Sequence, residues 1–172
     1  MLQGRASRSG YALLLRNLLP VYDALETGLE RHRGRLAALA EPRLYRADAI
    51  RLDLLALGGD PELLPEGRAY AVRVAAAGPG RLIAHAYVRY LGDLNGGRAL
   101  RRILARAPGL TPAELHFHDF PGISNLERFA RAYRAAVDRA AGEAGDGPDV
   151  LAEAAAAFED TIRLADAVRA VG

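Results

Sequence analysis

The stretch Leu82-Ile83-Ala84-His85-Ala86-Tyr87-Val88-Arg89-Tyr90-Leu91-Gly92-Asp93-Leu94-Asn95-Gly96-Gly97 brings an imidazole, a guanidinium, a carboxylate and several glycines close together. Set on a helix, His85, Arg89, Gly92, Asp93 and Gly96 share one face, because their spacings are sums of threes and fours. Ile83, Tyr87, Tyr90 and Leu94 fall to its side. A glycine inside a helix costs about 1 kcal/mol relative to alanine. Its usual return is close approach of the backbone to another body. Gly92 and Gly96 would flatten one strip of the helix, on which a flat ligand could lie. Asp93 at the edge of that strip could orient a water, with Arg89 one turn back as its ion-pair partner.

Spacing alone leaves a second reading open. Asn95-Gly96 is a strong turn signal, so residues 93–97 also read as a plain loop. Arg89 and Asp93 would then form a surface ion pair of little value. The other histidines carry weaker signals. His32 sits among Glu30, Arg31 and Arg33, a solvated stretch. His116 and His118 flank Phe117, and alternation would point both the same way, but a pair without a third ligand is a weak metal signal.

The elements that must position these residues read as helices. Capped by Ser7 or Ser9, the first carries Tyr11, Leu14, Leu15, Leu18, Tyr22, Leu25 and Leu29 at helical spacing. Pro20 lies inside it, where a bend is expected, and the pattern ends near Gly34. A second helix is predicted from Pro42 to Leu57, stopping at Gly58-Gly59, and a shorter one after Pro65. Pro108, Gly109, Pro112, Pro121 and Gly122 mark a connection after the glycine-bearing segment. Ser124 to Glu127 fits a capping box for a helix with Phe129, Tyr133 and Val137. A break over Gly142–Gly147 precedes a last helix opened by Pro148. The expectation is all-α: about six helices packed as a single domain over residues 1–172.

Composition agrees. Half the residues are hydrophobic and the net charge is only +2. The acids are interspersed with the arginines, unlike the basic stripe of a nucleic-acid binder. All basic side chains are arginine, so any anion clamp here uses guanidinium. The chain has no cysteine, which removes disulfides and thiolate chemistry and fits a reducing cytoplasm. No apolar run approaches the roughly 20 residues of a membrane span, and the N-terminus is no signal peptide. A cytoplasmic protein is expected, a monomer or weak dimer, without nucleic-acid or membrane partners.

Ala84 to Gly97 resembles the distal-helix signature of the heme oxygenase family. Other stretches agree in order: Gly4 to Glu26, Arg46 to Leu54, and Phe117 to Pro121 followed by Phe129 and Tyr133-Arg134. The resemblance covers nearly the whole chain. It implies an all-helical bundle in which heme, substrate and cofactor at once, lies against the distal helix. It also implies O2 as co-substrate, electrons from a ferredoxin or a reductase, and biliverdin, CO and ferrous iron as products. On this resemblance Gly92, Gly96 and Gly97 match the glycines over the heme face. Asp93 matches the carboxylate that holds a proton-delivering water network, and Arg89 matches its partner. Tyr87, Tyr133 and Arg134 match the propionate side, and Phe158 a pocket-wall aromatic.

The family's axial histidine lies on a helix upstream of the segment resembling Gly4, so no metal ligand is expected among the residues from Met1 onward. A propionate-binding lysine is also unmatched: Ala130 stands at its place, with Arg131 beside it. Two readings follow. The working enzyme starts further upstream, which the intact Gly92-Asp93 pair favours. Alternatively, the chain is a non-catalytic homologue that binds heme or another planar tetrapyrrole. Thiaminase-like hydrolases of the same general fold depend on a cysteine, which is absent here.

Overall fold

The computed structural model describes residues 7–59, 61–107, 109–144 and 147–171, without the side chains of residues 147 and 148. The Gly4 end of the first family-like stretch, Pro108, the Pro148 side chain and residues 145–146 of the expected break lie outside these.

The described residues form helices, with a long connection between the sixth and seventh that holds two 3-10 turns, Pro112–Glu114 and His116–His118. The order is α1 (Arg8–Arg31), the single turn α2 (Arg33–Leu36), α3 (Ala47–Leu57), α4 (Pro65–Ala75), α5 (Pro79–Ala86), α6 (Gly92–Leu104), α7 (Leu126–Ala144) and α8 (Gly147–Val171). Ser7 caps α1, accepting from the Gly10 amide, and the helix runs through Pro20. Its apolar face is the spine of the core: Leu15, Val21, Tyr22, Leu25 and Leu29 are fully buried, and α3 and α4 pack directly on it.

Several expectations need correction. The predicted Pro42–Leu57 helix is broken: Pro42–Leu44 is a single 3-10 turn and α3 starts at Ala47. Tyr45 between them is extended, and the Glu26 carboxylate, reaching over from α1, accepts the Arg46 and Ala47 amides at 2.5 and 3.0 Å. That is an N-cap supplied in trans. Ser124 does not cap α7. Asn125 does, its Oδ1 accepting the Arg128 amide at 2.9 Å, while Glu127 pairs forward with Arg131.

The glycine-bearing segment is helix, not loop. Between α5 and α6 the chain makes one π-turn, Tyr87–Leu91, without leaving the helix axis. A π-turn inserts one extra residue and rotates everything beyond it.

Candidate active site

The π-turn decides which partners the polar residues meet. His85, before it, faces α8: its Nε2 is 3.1 Å from Glu153 Oε1, and it is fully buried. Asp93, beyond it, faces α1 and receives the Tyr22 hydroxyl in a hydrogen bond. The shared face expected of His85 and Asp93 is therefore split by a rotation that a straight-helix reading omits. Burial keeps His85 below the ordinary imidazole value, against the pull of Glu153, so it is a neutral, packed histidine.

Arg89 lies inside the π-turn and is buried. Its Nε and Nη2 donate to the Tyr22 hydroxyl at 3.1 and 2.9 Å, and its Nη1 to Thr161 at 3.4 Å. The direct ion pair to Asp93 is long, at 3.9 Å. Tyr22 is thus the hub, accepting from Arg89 and donating to Asp93. Sequence reasoning did not single it out as a site residue. The available signal was a phenol on the buried stripe of α1, which needs a polar partner.

Burial pushes the Asp93 carboxyl above the usual carboxylate range, and Arg89, Tyr22 and Arg46 offset this without cancelling it. Burial likewise holds the Tyr22 hydroxyl well above its ordinary value, so it remains a donor. The arrangement is an acid poised to exchange a proton, wired to a fixed cation and a fixed donor.

The glycines divide into two kinds. A Cβ built on Gly92 or on Gly96 meets nothing within 4 Å, so this strip of α6 is bare and open. Gly97 is buried behind it, where a Cβ would sit 3.8 Å from His118 Nδ1 and 4.0 Å from the Phe120 ring. Gly97 therefore packs α6 onto the 116–120 connection. At the upstream end, Tyr87 meets Phe158 edge-on at 6.4 Å, and the Arg134 guanidinium lies 5.6 Å over its ring. Phe158 is half exposed. Tyr133 is buried and donates its hydroxyl to the Leu39 carbonyl at 3.2 Å, so it presents no free polar group. Arg131 is turned to Glu127 on the exposed side of α7, and Ala130 is buried.

No described histidine comes within 4 Å of a Cβ at Gly92 or Gly96. His116 and His118 do not point the same way, because they lie in a 3-10 turn rather than an extended strand. His116 is partly exposed and its Nδ1 is 2.8 Å from the buried Asp53, while His118 is buried. Asp53 also accepts the His116 and Phe117 amides at 2.8 Å each and so holds that connection in place. Among the described residues no group of three or more metal-ligating side chains occurs, and no helix is long and apolar enough to cross a membrane.

The sequence model of the family described as heme oxygenase matches residues 1–167. The chain belongs to the heme oxygenase family. It is 33% identical over 174 residues to heme oxygenase 1 of Nostoc sp., covering 95% of this chain and 73% of that one. With human heme oxygenase 1 it shares 33% over 175 residues, 94% of this chain and 61% of the human protein. Among solved structures, heme oxygenase-1 from the cyanobacterium Synechocystis sp. in complex with heme superposes with a TM-score of 0.89 at 29% identity. It covers 97% of this chain and 80% of that chain. The Leptospira interrogans heme oxygenase gives 0.86 at 30%, with 95% and 85% covered. The heme oxygenase fold thus accounts for the whole described bundle as an all-helical structure.

Proposed function

We propose that this protein binds heme as its substrate against the Gly92–Gly96 strip and opens it oxidatively to biliverdin, CO and ferrous iron. One observation supports this most directly: the strip is bare where any side chain would fill it, and it adjoins a largely buried carboxyl of raised pKa. Bound heme supplies the iron centre at which O2 is reduced. The chain's own residues do the rest. Gly92 and Gly96 admit the flat face. Asp93 holds or releases a proton at its carboxyl oxygen and orders water beside the strip. Arg89 and Tyr22 fix the direction in which that carboxyl points. Phe158 and Tyr87 wall the open end, and Arg134 lies within reach of an anionic substituent there. Electrons come from a ferredoxin or a reductase, and a cysteine-free chain suits the reducing cytoplasm in which those donors work.

The test is a hemin titration followed by reduction in air. A Soret band followed by a biliverdin spectrum is the expected result. A band with no bilin after reduction would leave only the non-catalytic heme-binding homologue. The absence of any band would remove heme as the ligand.

A further inference from the structure

The flank of α6 turned away from the open strip holds a cleft of about 440 Å³ that the heme-side reading does not use. Arg101 is nine residues beyond Gly92, which at about 100° per residue places it on the opposite side of the helix. Arg98, Arg101 and Arg102 form one wall of the cleft, and His118, Phe120 and Leu126 form the other. Asp119 also lines it and is already taken by Arg101, 2.8 Å from its Nε. Arg98 and Arg102 are exposed and have no carboxylate partner among the described residues. Arg102 Nε donates to the Arg98 carbonyl at 3.3 Å.

His118 lines the same cleft. It is 7% exposed, and its buried Nε2 has no hydrogen-bond partner among the described residues. Buried polar atoms of this kind are rare, and each calls for an explanation. Its other face is occupied by Tyr11, stacked at 6.0 Å, and by Phe117. Burial above all, with Arg101 and Arg46 adding to it, pushes its pKa down to about 4, so the ring is neutral.

We propose that this cleft binds a small organic carboxylate, its charge forked by Arg98 and Arg102 and its apolar body laid on Phe120 and Leu126. Guanidinium matches a carboxylate in bidentate geometry. A neutral imidazole carries one N–H, and a nearby carboxylate oxygen would fix that proton on Nε2. The Asp119 carboxylate in the same wall disfavours a dianion such as phosphate. The site lies across α6 from the proposed heme face, so its occupancy does not depend on heme turnover.

The probe is 1-naphthoate, titrated into the heme-free chain while the His118 ring protons are followed by NMR and assigned with His118→Phe. Parallel titrations use inorganic phosphate. A saturable shift with naphthoate, absent with phosphate and weakened at least about ten-fold in Arg98→Gln/Arg102→Gln, is expected. Both arginines are exposed and hold no carboxylate among the described residues, so the double variant keeps its fold. No shift with naphthoate, an equal response to phosphate, or unchanged affinity in the double variant would each overturn the assignment.

Discussion

At the scale of single residues, Asp93 and Tyr22 divide the chemistry between them. Asp93 is the acid beside the bare strip, and burial raises its carboxyl above the ordinary carboxylate value, so it holds its proton more tightly than a solvated aspartate. Removing it should leave the strip intact, so Asp93→Ala should bind hemin with an affinity close to that of the parent. Biliverdin formation should slow by about 10² to 10⁴, the usual worth of a positioned acid or base. An unchanged biliverdin rate would contradict its role. Tyr22→Phe makes a finer test. It takes from Asp93 a donor that favours the charged form, so the carboxyl should rise further and the pH–rate profile should move to higher pH. If Tyr22 merely packs, the rate changes uniformly at every pH and the profile keeps its position. Arg89 predicts less cleanly, because its loss strands the Tyr22 hydroxyl as well as removing a cation.

At the scale of elements, the glycines show the difference between packing and function. Gly67 on α4 lies against Asn17, and a Cβ there would be 3.0 Å from that of Asn17. Asn17 is fully buried and ties α1 to the 62–64 segment through the Glu62 carbonyl and the Leu64 amide. Gly67→Ala should therefore destabilise by roughly 1–3 kcal/mol. Gly96→Leu should not, because nothing lies within 4 Å of that position and leucine is the better helix former by close to 1 kcal/mol. Its melting temperature should hold or rise while hemin affinity falls at least ten-fold. A variant that keeps hemin affinity would place the ligand elsewhere. Much of this was legible in the sequence. The spacing of Arg89, Gly92, Asp93 and Gly96 put a glycine strip and a carboxylate on one helix, and α6 carries Gly92, Asp93 and Gly96 together. Two things were not legible. Spacing left 93–97 open between helix and loop, since Asn95-Gly96 favours turns locally, whereas the burial of Leu94 and Gly97 against the rest of the bundle is a tertiary matter. The π-turn has no periodic signature, so the partners of His85 could not be read from a 3.6-residue repeat. Nor could the hub: Tyr22 and Asp93 are 71 residues apart, and no local rule joins them.

At the scale of the whole molecule, α1 is both the wall of the core and the source of two polar arms, Tyr22 toward α6 and Glu26 toward α3. Glu26 stitches the bundle by capping α3, and this has a measurable consequence. Burial, only partly offset by the Arg46 and Ala47 amides, raises its pKa to about 7 from 4.5. The folded state thus holds this proton more tightly than the unfolded chain, and Glu26's contribution to stability falls as pH rises from 4.5 toward 7. His118 runs the other way: held down to about 4 in the fold, it takes up its proton more readily once unfolded, so its contribution grows as pH rises from 4 toward 6.5. The two slopes oppose each other over the same window, so the parent's stability curve alone would conceal both. Glu26→Gln isolates one of them, since an amide oxygen still accepts both backbone donors but cannot ionise. The difference in stability between Glu26→Gln and the parent should move in the variant's favour by roughly 1–3 kcal/mol from pH 4.5 to pH 7.5. A difference that stays flat across that range, measured by urea unfolding at each pH, would mean that the Glu26 carboxyl is solvated and that α3 is held at its start by something else.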